Sequence, residues 1–251
     1  MKILIVDDEA LARSYLMEQL AGIDSVEGKK IEVIGQAANG FEAVKLVEEL
    51  APNLVLLDIQ MPKLSGFEVL ELLGERAPAV IFVTAYDEFA LRAFEVHAVD
   101  YLLKPVEPPR LQSALERAVT RLQTNTAQLP AQALLTATRP PGTRLDRILI
   151  REESRVLVLP VERLDYVEAQ DDYLWFNAEG KRHRKQQTMT DLESQLDPAR
   201  FVRIHRSYLL NIDRLSRLEL YSKDSWLAIL ASGAHLPVSR AGHARLKELL
   251  A

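Results

Sequence analysis

Three carboxylates follow two apolar segments of the chain. Asp7 and Asp8 come directly after the run 2–6, and Asp58 comes directly after the run 54–57. If both runs are neighbouring parallel strands, the three acids meet at one edge of a sheet. Their mutual repulsion is then tolerable only with a divalent cation between them, and Mg²⁺ prefers such oxygen ligands. The spacing therefore predicts a metal-dependent phosphoryl site, with helix capping as the alternative for Asp7 or Asp8 alone.

A hydroxyl and an ammonium group occupy matching positions further along the chain. Thr84 closes the apolar run 80–83, and Lys104 follows the run 99–103. Singly, each is consistent with an ordinary surface residue, but together the four strand ends favour a shared site. Asp58 is then a candidate nucleophile that attacks phosphorus and forms an acyl phosphate. Lys104 and Thr84 are suited to contact the oxygens of the transferred group.

The elements that position these groups alternate as apolar strands and amphipathic helices over residues 1–122. Strands are predicted at 2–6, 31–37, 53–57, 79–83 and 99–103. Helices are predicted at 9–21, 39–51, 66–74, 87–95 and 107–122. Because the strands are nearly all apolar, helices must cover both faces of their sheet. We therefore predict an α/β domain over 1–122 with a doubly wound, five-stranded parallel sheet.

The pattern changes after residue 122. Residues 123–145 are rich in Thr, Gln, Ala and Pro without a regular period, which predicts a linker. In residues 146–251 the apolar runs are short and separated by charged turns, which predicts a mostly-β domain. Its predicted strands are 147–151, 156–159, 164–169, 173–177, 214–221 and 226–230, and its predicted helices are 189–196 and 240–250.

The composition is that of a globular protein, with 48% hydrophobic and 27% charged residues. No segment reaches the ~18 consecutive apolar residues of a membrane span, and no cleavable signal pattern precedes the first strand. The chain has no cysteine, which excludes disulfides and thiolate metal sites. We expect a cytoplasmic protein without a membrane partner.

The two halves of the chain differ in charge. Residues 1–123 contain 12 Lys and Arg against 20 Asp and Glu, a net charge of −8, whereas residues 124–251 contain 19 against 16, a net charge of +3. The positive excess favours a nucleic-acid contact in the second half. A solvated basic surface is the alternative, because the excess is small.

Four stretches carry a specific set of motifs. They are Ile-Val-Asp-Asp-Glu at 5–9, Leu-Asp-Ile-Gln-Met-Pro at 57–62, Val-Thr-Ala at 83–85 and Asp-Tyr-Leu-Leu-Lys-Pro at 100–105. Together they resemble the receiver domain of two-component response regulators over its whole length. The resemblance implies a flavodoxin-like fold, Asp58 as phosphoacceptor, and a phosphohistidine on a sensor histidine kinase as phosphodonor. It also implies that the protein modifies itself and is not an enzyme acting on an external substrate.

The same resemblance implies further roles. The implied Mg²⁺ ligands are the carboxylates of Asp7, Asp8 and Asp58 and the backbone carbonyl of Gln60. Thr84 and Lys104 are implied to bind the phosphoryl group. Tyr101 is implied to be a switch that turns inward when Thr84 moves toward the phosphoryl oxygen. The face formed by 87–95, 99–103 and 107–122 is then expected to form a homodimer upon phosphorylation, and a half-buried core tyrosine is the alternative for Tyr101.

Two stretches of the second half resemble the LytTR DNA-binding domain over about residues 146–250. They are Phe-Val-Arg-Ile-His-Arg-Ser-Tyr-Leu-Leu-Asn at 201–211 and Leu-Pro-Val-Ser-Arg at 236–240. The implied fold is an elongated set of small β-sheets whose loops enter successive major grooves of double-stranded DNA. Arg206 and Arg240 are expected to grip guanine O6 and N7, and His205 to contact a base edge or a phosphate.

Other basic residues of the second half are weaker candidates. We expect phosphate contacts from Arg203, Arg184, Lys185 and Lys223. Asn211 fits either a DNA contact or a turn cap. The run 182–185 fits a solvated edge strand better than a DNA contact, since lysine and arginine also protect sheet edges from pairing.

The predicted function is a phosphorylation-controlled transcription regulator that binds promoter DNA as a dimer. A phosphohydrolase with Asp58 as nucleophile is one alternative, although Gln60 stands where such enzymes commonly carry a second acid. A flavin or nucleotide-binding protein is another, although no glycine-rich loop follows the first strand. A receiver coupled to a protein-interaction module is the third, and only DNA binding separates it from the favoured interpretation.

Overall fold

The structure is a computed structural model that describes residues 1–124, 144–152, 155–222 and 225–250. It separates into two compact units, Met1–Pro140 and Pro141–Ala251. The predicted linker 123–145 lies almost wholly outside the described residues. In the part of the chain that the structure describes, no helix is both long enough and apolar enough to cross a membrane.

The N-terminal unit is built around a five-stranded parallel sheet. The described strands of the whole unit are β1 Lys2–Val6, β2 Ser25–Val26, β3 Lys29–Lys30, β4 Glu32–Ala37, β5 Leu54–Leu57, β6 Ala79–Thr84 and β7 Asp100–Leu103. Of these, β2 and β3 form a separate hairpin outside the sheet. Its helices are α1 Ala10–Ala21, α2 Gly40–Leu50, α3 Gly66–Leu73, α4 Ala90–Glu95 and α5 Pro108–Gln123. The sheet has the order β4-β1-β5-β6-β7, with every neighbouring pair parallel. This doubly wound order confirms the predicted fold class.

Local sequence signals explain most boundaries of this unit. Strands β5 and β6 are buried along their whole length, as expected for a sheet covered on both faces. Asn39 caps α2, and Ser65 forms a reciprocal capping box with Glu68 at the start of α3. The predicted helix 87–95 is wrong at its start, because α4 begins only at Ala90. The three preceding residues form a turn in which the ring of Phe89 packs edge-on against neighbouring aromatic rings.

A hairpin that the sequence did not predict precedes β4. Strands β2 and β3 pair antiparallel through a turn at Glu27 and Gly28, both of which have positive φ. Val26 is buried in the core of the unit. Each strand has only two residues, which is too short to show the alternation on which strand prediction rests.

The C-terminal unit is mostly β, as predicted. Its strands are β8 Arg147–Glu152, β9 Arg155–Pro160, β10 Leu164–Gln170, β11 Tyr173–Ala178, β12 Lys181–Lys185, β13 Phe201–His205, β14 Tyr208–Asn211, β15 Leu215–Ser222, β16 Ser225–Leu230 and β17 His235–Val238. Its described helices are α6 Met189–Gln195 and α7 Arg240–Leu250. The strands form a five-stranded sheet β12-β11-β10-β14-β13, a three-stranded sheet β15-β16-β17 and the pair β8-β9.

Strands β13, β14 and β17 were not predicted from periodicity. β13 and β14 are joined by a two-residue turn, and their register shifts between Arg203 and His205. Such an irregularity breaks the two-residue alternation that would reveal the strand. By contrast, β12 lies at the edge of its sheet, as the solvated-edge interpretation of 182–185 expects.

Helix α7 packs directly on β13. A Cβ atom at Gly242 would lie 2.0 Å from the carbonyl oxygen of Ile204, so only glycine allows this approach. On the next residue, the ring of His243 stacks on Trp226 at 4.3 Å between centroids. The start of α7 thereby packs on the edge strand β13 of the five-stranded sheet and on β16 of the three-stranded sheet.

Candidate functional site

Three carboxylates cluster at the carboxyl edge of the parallel sheet. Asp7 follows β1 and Asp58 follows β5, and the backbone N–H of Asp58 donates to the carbonyl of Val6 at 2.9 Å. Asp7, Asp8 and Asp58 each offer an oxygen, and these oxygens lie within 4.8 Å of one another. Asp7 and Asp58 are only 1% and 5% exposed, whereas Asp8 is exposed. The structure therefore brings the predicted acids together.

Lys104 reaches into this cluster from the end of β7. Its Nζ lies 2.7 Å from Asp7 Oδ2 and 3.0 Å from Asp58 Oδ2. The carboxylate of Glu9, which the sequence did not predict as a site residue, lies 3.8 Å from the same nitrogen. The backbone N–H of Lys104 donates to the carbonyl of Thr84 at 2.8 Å, so the two strand ends are joined beside the acids.

Burial and ion pairing set the charges of the pocket. Burial raises the pKa of Asp7, although bonds from Lys104 and from the backbone N–H of Glu9 oppose the rise. Burial lowers the pKa of Lys104, but its bonds with Asp7 and Asp58 outweigh that effect, so the pKa is raised. Lys104 is therefore protonated at neutral pH and offsets part of the negative charge around it. The peptide bond from Lys104 to Pro105 is cis.

The Oδ2 atom of Asp7 is buried and is ion-paired with Lys104. Two other buried polar atoms of the pocket have no hydrogen-bond partner within the described residues. They are Oδ1 of Asp58 and the hydroxyl of Thr84, which is fully buried at the end of β6. An unpaired buried oxygen costs about 1–3 kcal/mol, so these atoms are placed for a group that the protein binds. The clustered carboxylate oxygens of Asp7, Asp8 and Asp58 are suited to bind a hard cation such as Mg²⁺.

The loop after Asp58 is held close to the strand end by Gly66. A Cβ atom at Gly66 would lie 2.3 Å from the carbonyl oxygen of Asp58, so no other residue fits without movement. The N–H of Gly66 also donates to the carbonyl of Ile59 at 2.9 Å. Gln60 lies in this loop with an exposed side chain. Its role through the backbone carbonyl stays a prediction.

Tyr101 connects β7 to the loop that follows Thr84. It is half-buried, and its hydroxyl donates to the backbone carbonyl of Tyr86. Burial raises the pKa of Tyr101 to about 12, so the phenol is neutral and remains a donor. Because Tyr86 is two residues after Thr84, this bond links the predicted switch residue to the predicted phosphoryl contact.

The second unit brings the predicted DNA-contacting residues to one place. His205 ends β13, and Arg206 lies exposed in the turn to β14. Ser239 bonds to the carbonyl of Ile204 through its backbone N–H at 2.8 Å and its hydroxyl at 2.9 Å. Arg240, the next residue, therefore begins α7 beside the turn. We call His205, Arg206 and Arg240 the basic corner.

The ring of His205 is oriented by its own turn. Its Nδ1 accepts from the backbone N–H of Ser207 at 3.2 Å, and its ring lies 5.9 Å from that of Tyr208. In the neutral ring, an accepting Nδ1 leaves the proton on Nε2. His205 therefore offers a donor on the side away from Ser207.

Two weaker candidates serve the fold. Asn211 is fully buried, donates to the carbonyl of Leu164 at 2.7 Å and caps the next turn through Asp213, so the turn-cap interpretation is the one observed. Arg203 pairs with Glu193 at 3.3 Å and donates to the carbonyl of Arg206 at 3.0 Å. It braces the turn of the basic corner.

The remaining candidates lie on β12 or cannot be placed. Arg184 is exposed and Lys185 is half-buried on that edge strand. Lys223 lies outside the described residues.

An acidic pocket at the edge of a doubly wound sheet, together with a β-rich unit that carries a basic corner, defines a class of signal-responsive DNA-binding proteins. Comparisons with known proteins agree. Residues 3–116 match the family described as the response regulator receiver domain, and residues 154–251 match the LytTr DNA-binding domain. The chain belongs to the response regulators that combine these two domains.

Relatives and solved structures extend the comparison. An "Uncharacterized response regulatory protein" of Vibrio cholerae is 38% identical over 98% of this chain and 97% of its own length. "Transcriptional regulatory protein BtsR" of Salmonella typhi is 36% identical over 99% of this chain and 98% of its own length. The response regulatory domain of protein mrkE from Klebsiella pneumoniae is 29% identical, covering 49% of this chain and 99% of that one, with a TM-score of 0.44. The two domains are those of a phosphorylation-controlled, DNA-binding transcription regulator.

Proposed function

We propose that Asp58 accepts a phosphoryl group from a sensor histidine kinase in a Mg²⁺-dependent reaction, and that this modification promotes dimerisation and promoter binding. One observation supports the proposal above all. The buried carboxylate of Asp58 has one oxygen paired to Lys104 and the other without a partner in the described residues. An oriented carboxylate oxygen without a partner is suited to act as a nucleophile.

The transfer has a simple balance. An oxygen of Asp58 forms a bond to phosphorus, the bond from phosphorus to the donor imidazole nitrogen breaks, and that nitrogen takes a proton from solvent. Lys104 pairs with a phosphoryl oxygen in place of Asp58, and the buried hydroxyl of Thr84 donates to another. The proposed Mg²⁺ ligands are Asp7, Asp8, Asp58 and the backbone carbonyl of Gln60. When bound, the ion offsets the charge of the transferred oxygens.

Transmission starts at Thr84. When its hydroxyl turns to the phosphoryl group, the loop after β6 moves with it, and Tyr101 is bonded to that loop through Tyr86. We propose that this changes the face formed by α4, β7 and α5, on which a second copy then docks. Dimerisation brings two output domains together, which raises their effective concentration on paired promoter sites in the cytoplasm.

The output step is assigned to the basic corner. Arg206 and Arg240 each carry the bidentate fork that matches guanine O6 and N7, and His205 contributes its Nε2 donor. These contacts give sequence preference, whereas other cations of the domain add affinity through phosphates.

The Asp58→Asn variant tests the proposal. It keeps the size of the side chain but removes the nucleophilic oxygen, so acetyl phosphate with Mg²⁺ should no longer produce the phosphorylated band on a phosphate-affinity gel. Dimerisation driven by acetyl phosphate, measured by light scattering, should be lost with it. Asp24→Asn is the matched control, because Asp24 is exposed and lies outside the pocket. Full phosphorylation of Asp58→Asn would refute the assignment.

A further inference from the structure

Strand β12 carries four cations and one histidine in five residues at the edge of its sheet. Edge strands often carry lysine and arginine, which discourage pairing with another sheet. This explains positive charge on the strand. It does not explain why two of its arginines are held against aromatic rings on the neighbouring strand.

Arg182 and Arg184 are both stacked. The guanidinium carbon of Arg182 lies 4.6 Å from the ring centre of Trp175, and that of Arg184 lies 5.2 Å from the ring centre of Tyr173. A ring contact fixes the guanidinium plane and leaves its N–H groups available to an acceptor at the rim. Arg182 donates in this way to Glu168 at 2.9 Å.

Arg184 has no such acceptor among the described residues. Its side chain is exposed, and its ring contact is not accompanied by any ion pair with the carboxylates that the structure describes. Arg182, two residues earlier on the same strand and also stacked, has its acid. An oriented guanidinium without a carboxylate is suited to bind an external anion, and phosphate is the anion that fits its fork.

The sheet places Arg184 in line with the basic corner. One residue from each strand forms a continuous cross-strand row from Arg184 through Trp175, Glu168 and Tyr208 to His205. Residues opposite one another on neighbouring strands share a face of the sheet. Four strand spacings of about 4.8 Å separate the two ends of the row by about 19 Å.

This separation decides the kind of contact. The major groove of B-DNA is about 12 Å wide, so strand positions about 19 Å apart cannot both face the bases of one groove, and the outer one faces the flanking sugar-phosphate backbone if the inner one reads a base. We infer that Arg184 contacts a DNA phosphate that flanks the bases read by His205 and Arg206. This inference rests on the proposed DNA contacts of the basic corner.

The test measures DNA affinity of the full chain against salt concentration. Two labelled duplexes of equal length are used. One is selected from a random library by the phosphorylated protein without substitutions, and the other has the same bases in scrambled order. Arg184→Ala should weaken binding to both duplexes by the same factor, about three- to tenfold, and reduce the slope of log K against log salt by about 0.9. The preference for the selected duplex should not change.

Two variants serve as controls. Arg163→Ala removes the same charge at the start of β10, where Arg163 pairs with Glu179 at 3.8 Å, and should leave the slope unchanged. Arg184→Lys keeps the charge and should largely keep the slope. Arg184→Gln repeats the loss of charge if the alanine variant unfolds at a lower temperature.

An unchanged slope for both Arg184→Ala and Arg184→Gln would overturn the inference, as would a loss confined to the selected duplex or an equal loss in Arg163→Ala. The protein is phosphorylated with acetyl phosphate throughout. If the phosphorylated protein without substitutions binds neither duplex, the proposed DNA contacts of the basic corner fail and the inference fails with them. Normal binding by that protein with no effect at Arg184 overturns the inference alone.

Discussion

At the scale of single residues, the pocket of Asp58 is organised by backbone bonds at strand ends. The N–H of Asp58 is held by Val6, and the N–H of Lys104 is held by Thr84. The side chains therefore meet at the ends of neighbouring strands, and no long loop has to be ordered to bring them together. The hydrogen bonds of the sheet offset the free energy that is needed to bring like charges close. A pocket of this kind is formed before its ligand arrives.

Replacement of Gly242 by alanine should destabilise the protein, although the same change elsewhere in a helix usually stabilises it. Glycine to alanine in a helix ordinarily stabilises by about 0.5–1 kcal/mol. Here the added Cβ would collide with the carbonyl oxygen of Ile204, so we expect Gly242→Ala to lower the free energy of unfolding by about 1–3 kcal/mol. Urea unfolding followed by tryptophan fluorescence measures this, because Trp175 and Trp226 both belong to the C-terminal unit.

The control for this prediction lies on the same helix. Ala244 is exposed, and Ala244→Ser should change the free energy of unfolding by less than about 0.5 kcal/mol. A stabilised Gly242→Ala protein would show that α7 moves away from β13 at little cost, contrary to the packing described above.

Single residues also show what the sequence could and could not predict. Asp58, Thr84 and Lys104 were predicted because each directly follows an apolar run, and parallel strands bring such ends together. Glu9 was missed although it follows Asp7 and Asp8, since it directly precedes α1, where an acid is also typical of a helix N-terminus. Arg184 could be ranked only as a weak phosphate contact, because its ring partner Tyr173 is brought to it by strand pairing.

At the scale of elements, Asp100 fastens β7 to α5. Arg110 donates to both of its carboxylate oxygens at 2.7 Å, and Arg117 donates to it through Nε at 2.8 Å. Burial would raise the pKa of Asp100, but the bonds from the two arginines outweigh that effect, so the pKa is lowered. The face that we propose for dimerisation thus contains a charged clasp between two of its three elements.

Asp100→Asn tests the clasp through pH. A lowered pKa in the folded state contributes stability above the ordinary value of about 3.9, and this contribution is lost as the pH falls through the folded value. We expect the variant to be about 1 kcal/mol less stable at pH 7, with a difference that shrinks below pH about 4. Circular dichroism at 222 nm in urea, at several pH values, follows mainly the N-terminal unit, which contains five of the seven α-helices in the described residues.

Tryptophan fluorescence supplies the internal control for that experiment, because the signal arises from the other unit and should not shift. A difference that stays constant from pH 7 to pH 3 would mean that the charge of Asp100 contributes nothing. Asp24→Asn should behave as the unmodified protein at every pH.

Prediction of elements depended on the regularity of the apolar pattern in each segment. The five strands of the parallel sheet lie within one residue of their predicted bounds, and β5 and β6 show why, because burial along their whole length leaves an apolar run. Strands β13 and β14 were recognised only as a motif, because a register shift and a two-residue turn leave no alternation to detect. The hairpin β2-β3 is shorter still.

At the scale of the whole molecule, the proposed phosphoryl site and the proposed DNA contacts lie in different compact units. Asp58 and its neighbours lie in Met1–Pro140, and the basic corner lies in Pro141–Ala251. Substitutions in the basic corner should therefore leave phosphorylation of Asp58 by acetyl phosphate unchanged. This separation is itself testable.

Arg206→Ala and Arg240→Ala should each lose sequence-specific DNA binding while acetyl phosphate still modifies Asp58. Removal of a bidentate guanine contact costs about 1–3 kcal/mol, or roughly 5- to 150-fold in affinity for the preferred duplex. Gel shifts at fixed salt measure the loss, and a phosphate-affinity gel checks the receiver. Unchanged affinity for the selected duplex in either variant would remove that arginine from the basic corner.

The two hydrogen bonds from Ser239 to the carbonyl of Ile204 limit how far the proposed DNA-contacting residues can move relative to one another. They hold the start of α7 against the end of β13, so the backbone positions of Arg206 and Arg240 keep a fixed separation. If both arginines contact bases as proposed, we expect the DNA rather than this backbone to adjust where the spacing of the bases does not match. Base pairs that no side chain touches will then influence recognition through their stiffness.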